Sequence, residues 1–440
     1  MELNEFPDSW IISKVDDLGE LIRGISYKKE DASKSPSQGC KPILRANNIK
    51  GHLNFDELVY VPAKIIREEQ YIKKGDLIFA MSSGSKHLVG KSAPALNDYD
   101  GSYGAFCALL RPSQYIDQSY FAYFFQGNTF RKLVSEIAKG TNINNLKREH
   151  ILNIDFLLSP LPEQHQIVVK IEELFSELDN GIENLKKARG QLKTYRQAVL
   201  KYAFEGKLTK EWREKNKTAI WQELKLGDLI KVKSGNGLTK GHQVNTGNHL
   251  VYGGNGIMGK HNKYMFEEPK LIIGRVGVHC GNVHITKPTS WVTDNAFVTN
   301  FDNDQVEMKY LLYFISDLNL KKYSSSTAQP VISGGKIYPI DVKIPEKEEQ
   351  QAIVSEIESR LSVCDKIEQT IEDSIKKAEA LRQSILKKAF AGKLTKDWRE
   401  KNPELVTGEN SAEKLLEKIK SEKALAVGRG KPRSKKAKKK

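Results

Sequence analysis

Ala203–Asn216 reads AFEGKLTKEWREKN, and Ala389–Asn402 reads AFAGKLTKDWREKN. Twelve of the fourteen positions match, at an offset of 389 − 203 = 186 residues. The offset holds without a gap upstream: Glu163, Gln164, Ile167 and Val168 fall on Glu349, Gln350, Ile353 and Val354, and Ile154-Asp155 falls on Ile340-Asp341. From Glu163 to Asn216, 24 of 54 positions are identical at that one offset. A gapless register of this length marks a tandem duplication, and an internal repeat governs how everything else is read.

The repeated parts read as helices. Pro160 and Pro162 precede Glu163, and Pro345 precedes Glu346, Glu348 and Glu349. Proline and carboxylates suit the unpaired N–H groups and positive dipole end of a helix start. Ile171, Leu178, Leu185, Leu192 and Val199 then recur every seven residues, with Leu174, Ala188 and Tyr195 on the alternate seam. The second copy carries Ile357, Cys364, Ile371, Ala378 and Ile385, with Ile367 and Leu381 alternating. Heptads sustained this long predict a coiled coil. Gly206 and Gly392 end the two patterns, where the left-handed cap conformation is easiest for glycine. At 1.5 Å per residue, Glu163–Glu205 would span roughly 64 Å.

Between the helices the likeness fades to outlines. Trp10 and Trp221 open two domain-sized segments, and Val15-Asp16-Asp17-Leu18 sits where Leu226-Gly227-Asp228-Leu229 does. Short apolar runs such as Asp76–Ala80 and Leu271–Gly274 end in glycine- or serine-rich turns, which predicts irregular β-rich domains. Residues 120–138 and 306–323 look helical. The expected class is α+β: two readers of mixed character, 1–158 and 217–343, separated by spacer helices at 159–216 and 344–402 that pair antiparallel in a pseudo-two-fold internal repeat. Residues 403–440 form a short helix and a basic tail. Spacers alike and readers unlike imply one shared task and two different ones.

The net charge is +15, but eight of the last twelve residues are Lys or Arg. That tail has no apolar content to fold around and is expected to be disordered; it reads as a solubilising end or as a source of counterion-releasing phosphate contacts. The helical parts balance their charges, which suits protein pairing. The readers are mildly basic and carry Lys, Arg, Asn and Gln in glycine-rich loops, residue types that pair with guanine and adenine edges.

Four cysteines, Cys40, Cys107, Cys280 and Cys364, show no C-x-x-C spacing, so neither a metal cluster nor a disulfide framework is expected. The start, Met1-Glu2-Leu3-Asn4-Glu5, has no apolar signal core, and no apolar run is long enough to span a bilayer; a cytoplasmic protein is expected. Catalytic motifs fail on inspection. Gly254–Gly259 fits G-x-G-x-x-G, but His261 stands where a P-loop needs Ser or Thr. Gly84 and Gly90-Lys91-Ser92 are separated by five residues where the loop needs four. His279, Cys280 and His284 lack a fourth metal ligand and read as buried strand residues. Asp341-Val342-Lys343 matches only the last part of a nuclease D-x-K pattern.

Taken together, the helix starts Leu161-Pro162-Glu163-Gln164 and Pro345–Gln350, the endings Gly206-Lys207-Leu208-Thr209 and Gly392-Lys393-Leu394-Thr395 each with Trp-Arg after them, Pro7–Trp10, Ile43–Ile49, Met81–Lys86 and the closing Gly408–Lys420 carry a resemblance. The chain resembles a specificity subunit of a type I restriction–modification system, of the type IA class, over essentially its full length. The resemblance implies two target recognition domains, each reading half of an asymmetric split site in double-stranded DNA, held apart by the antiparallel helices. It implies two methyltransferase subunits docked on the spacer, restriction subunits beyond them, and no catalysis by this chain. S-adenosylmethionine, ATP and magnesium would sit on the partner subunits, and this chain would bind no cofactor. Two readers on a two-fold axis would match duplex symmetry, with half-sites about 34 Å apart, and adenine extrusion would draw a few kcal/mol from binding. A coiled-coil scaffold that binds only protein is the alternative.

For base reading the first reader offers Arg45, Asn47, Asn48, Ser83, Ser85, Lys86, Lys91, Asn142, Asn144 and Asn145. The second offers Lys233, Asn236, Lys240, Asn255, Lys260, Arg275 and Gln329. Each of these residue types also serves turns and solvated surface.

Overall fold

The computed structural model describes residues 6–83, 89–139, 145–218, 220–238, 247–325 and 329–429. Ser85, Lys86, Asn142, Asn144, Lys240 and the basic tail from 430 onward lie outside the described residues. The chain forms two compact units, Met1–Glu183 with Ile375–Lys440, and Asn184–Ser374. Each contains one reader and a part of both long helices.

In the first unit, β1 (Ile11–Lys14) pairs antiparallel with β9 (Asp155–Leu158), and α1 (Val15–Leu18) follows β1. A four-stranded sheet is built from β2 (Gly19–Arg23), β5 (Leu77–Ala80), β6 (Ser92–Pro94) and β8 (Cys107–Pro112) in the order β2-β8-β5-β6. A smaller sheet, β4-β3-β7, is built from β3 (Cys40–Leu44), β4 (Val59–Pro62) and β7 (Ser102–Tyr103), with β3 and β7 parallel. The apolar run Leu77-Ile78-Phe79-Ala80 is wholly buried in the middle of the larger sheet. The helix expected over 120–138 is two: α2 (Gln118–Gln126) and α3 (Asn128–Lys139), broken at Gly127, whose backbone is extended. Asp117 caps α2, its carboxylate accepting the Tyr120 N–H at 2.8 Å. The short α4 (Arg148–Leu152) leads into β9, and α5 (Leu161–Phe204) begins after it.

The second unit repeats this plan on a different sequence. After α6 (Lys210–Asn216), β10 (Gln222–Lys225) pairs antiparallel with β18 (Asp341–Ile344), and α7 (Leu226–Leu229) follows β10. The larger sheet runs β11-β17-β14-β15, from β11 (Lys231–Ser234), β14 (Leu271–Gly274), β15 (Val283–Ile285) and β17 (Ala296–Asn300). The smaller runs β13-β12-β16, from β12 (His249–Gly253), β13 (Gly256–His261) and β16 (Ser290–Val292), with β12 and β16 parallel. Helices α8 (Met308–Leu318) and α9 (Gly334–Ile337) complete it before α10 (Lys347–Ala389). Strand for strand, the two readers share one topology, although their sequences share only outlines. Past α10, α11 (Lys396–Lys401) and α12 (Ala412–Arg429) belong to the first unit.

The long helices pair antiparallel within each unit. In the first, Asp179 of α5 bonds Arg382 of α10, and Glu163, at the start of α5, bonds Arg399 in α11, past the end of α10, so one helix rises as the other falls. In the second, Arg196 bonds Asp365 at 2.7 Å and Glu349 bonds Arg213 at 2.9 Å, with the same sense. Of the expected seam, Ile171, Val199, Ile357, Cys364, Ile371 and Ile385 are buried, while Leu178, Leu185, Leu192 and Ala378 are half-buried. The alternate seam needs correction. Tyr195, Ile367 and Leu381 are 45%, 44% and 48% exposed. The facing positions are one residue later, at Arg196, Glu368 and Arg382, and Phe175 is buried where Leu174 is only half so. A helix of 3.6 residues per turn drifts against a 3.5-residue repeat, and arginine covers the seam with its apolar stem while its head stays wet. Arg382 also stacks on Phe175, 4.3 Å from the ring centroid. The duplication explains the pairing: Arg196 and Arg382 are 186 apart, and so are Asp179 and Asp365.

Candidate nucleic-acid interface

The readers are fastened to the helices by the repeated phrase, and the fastening is crossed. Glu163, at the start of the first repeat, is fully buried. Its carboxylate accepts from Thr395 Oγ1 at 2.7 Å, from Trp10 Nε1 at 2.8 Å and from the Arg399 guanidinium. Thr395 and Arg399 end the second repeat. Glu349, at the start of the second repeat, is equally buried and accepts from Thr209 Oγ1 at 2.7 Å, Arg213 Nε at 2.9 Å and Trp221 Nε1 at 3.0 Å. Thr209 and Arg213 end the first. Each copy's ending therefore grips the other copy's beginning.

The neighbouring positions obey the same rule. Gln164 donates to Ser159 O and accepts the Asp117 N–H at the start of α2; Gln350 donates to Pro345 O and accepts the Glu307 N–H at the start of α8. Arg399 also donates to Gly392 O, and Arg213 to Gly206 O; both glycines hold positive φ, +66° and +70°. The phenylalanine of each phrase docks on a reader helix: Phe390 lies 5.1 Å from Tyr120 and 5.5 Å from Phe124, and Phe204 lies 5.6 Å from Tyr310 and 5.3 Å from Phe314, ring centroid to centroid.

One end of each reader gathers most of the candidate residues. In the first, Leu44 O accepts the Gly104 N–H, Phe106 O accepts the N–H groups of Met81 and Ser82, Gly24 N donates to Cys107 O, and Ser82 bridges Asn145. The loops after β2, β3, β5 and β7 therefore meet, bringing together Arg45, Asn47, Ser83 and Asn145. Gly24 is required here, because a Cβ would stand 2.2 Å from Gly104 O. Lys91 is half-buried at the foot of this end, where its carbonyl accepts the Ala80 N–H. Arg45 donates to Glu57 O at 2.9 Å, and its Nε is buried without a hydrogen-bond partner.

Asn48 lies in the same loop with a different job. It is buried, its amide donates to Asn54 O and Asp56 O, and its carbonyl accepts the Arg45 N–H. These bonds shape the loop that presents Arg45. Asn48→Ala should destabilise the first unit by about 1–3 kcal/mol, since it removes three part-buried hydrogen bonds made by a buried side chain. Denaturant unfolding measures this; a loss of DNA affinity with stability intact would instead make Asn48 a base contact.

The second reader repeats most of this convergence. Tyr252 O accepts the Thr293 N–H, Asn295 O accepts the Arg275 N–H, Gly235 N donates to Ala296 O, and Val276 bridges Val331. Asn236, Asn255, Arg275 and Gln329 come together. The Arg275 guanidinium donates to Ser234 Oγ and Asp294 O, both at 3.3 Å, and lies over Phe297. Asn255 accepts from Asn282 at 3.2 Å. Lys233 and Lys260 are exposed on β11 and β13, in strands rather than in the loop cluster.

The other motifs resolve structurally. Gly254–Gly259 is the β12–β13 hairpin, with no helix after it to face a phosphate. Gly90-Lys91-Ser92 enters β6. His279 and Cys280 lie in a turn, not in a strand as expected, His279 exposed and Cys280 buried; His284 is in β15, where burial holds its imidazole below the ordinary value. Among the described residues no group of three His, Cys, Asp or Glu could hold a metal. Asp341 and Lys343 pair with Lys225 and Glu223 across the β10–β18 ribbon. Two exposed residues at the loop clusters, Phe106 and Asn295, were not among the sequence candidates; Phe106 belongs to no periodic pattern, and the Asp294-Asn295 pair reads first as plain turn chemistry.

The family of type I restriction modification DNA specificity domains matches residues 7–187 and 219–377. The chain is 33% identical to the type I restriction enzyme StySPI specificity subunit of Salmonella potsdam, over 99% of this chain and 100% of that protein. It is 32% identical to the EcoKI specificity subunit of Escherichia coli K12, over the same shares. Among solved structures, it is similar to a chain from a study of type I R-M complex assembly and conformational transition, with a TM-score of 0.65 and 16% identity, covering 88% of this chain and 99% of that one. The HsdS subunit from Thermoanaerobacter tengcongensis aligns at a TM-score of 0.53 and 16% identity, over 89% of this chain and 99% of that one. At such identities these two likenesses establish the fold alone.

Proposed function

We infer that this chain, which belongs to the family of type I restriction–modification specificity subunits, reads a two-part, asymmetric target in duplex DNA, one part with each reader. The observation that carries the reading is the paired loop cluster. Two backbone frameworks of matching topology present different side chains: Arg45, Asn47, Ser83 and Asn145 on one, Asn236, Asn255, Arg275 and Gln329 on the other. Equal frameworks with unequal side chains suit two half-sites of unequal sequence.

The remaining parts follow in the same proposal. Methyltransferase subunits, two per chain, dock on the long helices, where Tyr195, Val363, Ile367 and Leu381 keep apolar surface exposed. Restriction subunits join through them. S-adenosylmethionine, ATP and magnesium belong to those partners, and this chain supplies recognition without catalysis. No described helix is long and apolar enough to cross a membrane, and the proposed DNA target suits a cytoplasmic protein.

The test is the chain assembled with its methyltransferase partners and a randomised duplex pool. Enrichment of one split, non-palindromic sequence supports the reading; no enrichment, with the complex intact, overturns it and leaves the protein-binding scaffold. Within this test Arg45→Ala should weaken binding to the selected site by about 1–3 kcal/mol. Equal weakening on scrambled duplex would mark Arg45 as a phosphate contact instead.

A further inference from the structure

The turn Gly104–Cys107 in the first reader and the turn Thr293–Ala296 in the second are the same object. Each closes on itself, Cys107 N to Gly104 O at 2.8 Å and Ala296 N to Thr293 O at 3.1 Å. Each is tied to the small sheet, Gly104 N to Leu44 O at 2.9 Å and Thr293 N to Tyr252 O at 2.8 Å. In each, the carbonyl of the third residue accepts an N–H from the strand end at 2.9 Å, Met81 N to Phe106 O and Arg275 N to Asn295 O. The backbone at this position is fixed from three sides.

The side chain there is not used by the fold. Phe106 is 69% exposed, and Asn295 is also exposed. A large apolar ring pointing to water from a rigid turn contributes little to folding, yet its turn is hydrogen-bonded to the segments that carry Arg45 and Ser83, the latter bridged to Asn145. A side chain on a fixed backbone, with few rotatable bonds, loses little entropy when it meets a surface.

We propose that this turn position determines specificity in both readers, with Phe106 contacting a thymine methyl or an opened base step and Asn295 pairing with an adenine edge. The chemistry follows from the two side chains: the thymine C5 methyl is the apolar feature of the major groove, and a phenylalanine can also wedge between base steps. An asparagine amide matches the N6 and N7 pattern of adenine. The assignment rests on the DNA-reading function proposed above and names a residue in each reader.

The experiment compares wild type, Phe106→Asn and Asn295→Ala, each full-length and assembled with methyltransferase partners, by selection from a duplex pool randomised over both half-sites. Phe106→Asn should change the preferred base at one position of the first half-site and leave the second half-site untouched. Affinity for the original site should fall about 5- to 100-fold. Asn295→Ala should relax one position of the second half-site only. Thermal unfolding should not move, because both side chains are exposed. Variants that select the wild-type sequence with wild-type affinity overturn the assignment, as does an equal loss on every duplex. Failure of the wild-type protein to select any sequence would instead strike the underlying reading, so the two failures are distinguishable.

Discussion

Arg399→Met destabilises the first unit by about 3–5 kcal/mol, the range for removing one partner of a buried ion pair. The loss does not measure an attractive contact. It reflects Glu163, fully buried, left with a hydroxyl and an indole N–H to hold its charge. Methionine keeps most of the arginine's apolar stem, so packing is largely retained. Hydrogen exchange resolves the effect by region: amides of the first unit lose protection, those of the second do not. Arg213→Met produces the mirror result through Glu349. Adding Glu163→Gln to Arg399→Met recovers part of the loss, because the uncompensated charge is gone. A uniform loss across both units, or one below about 1 kcal/mol, would contradict the crossed fastening.

Phe390→Ala is expected to cost a further unit-specific amount, about 3–5 kcal/mol. Phe390 is buried and packs against Tyr120 and Phe124, which in turn meet Phe156 edge-on and tilted. Truncation opens a cavity in that aromatic cluster, and α2 is held by Asp117 and Gln164 and cannot collapse into it freely. The counterpart Phe204→Ala should cost less, since Phe204 is only half-buried against Tyr310 and Phe314. Denaturant unfolding of both variants tests the order; a larger loss at 204 than at 390 would refute it.

The repeat was legible because identity at one offset needs no knowledge of three dimensions. It placed the two long helices, their glycine ends and the buried first seam. It did not reveal that Thr395 and Arg399 bond Glu163, because nothing local in a sequence names a partner more than 230 residues away. The alternate seam slipped by one residue for a physical reason: arginine can occupy a helix interface with its stem, so Arg196 and Arg382 hide in a search for apolar side chains. The common topology of the readers was invisible beyond Trp10 and Trp221 and the matching segments Val15–Leu18 and Leu226–Leu229. Sheet order is set by backbone pairing, which many side chains satisfy. At the candidate interface, glycine- and asparagine-rich turns pointed to loops that the structure brings together. They could not separate Asn48, consumed by its own loop, from Asn47, which is exposed. Phe106 went unread because an isolated aromatic in a turn looks like any core residue until its exposure is known.

Crossed locks also shape how such a gene can change. A coding segment bounded by these two phrases brings a complete set of fastenings with it, since what one copy offers the other accepts. A foreign reader inserted between them keeps this anchorage when it brings the opening tryptophan and the helix aromatics that the phrases meet. A change to Thr209 or Arg213, by contrast, is felt at Glu349, in the other repeat, so selection must police the duplicated stretches jointly while leaving the loops between them free to diversify.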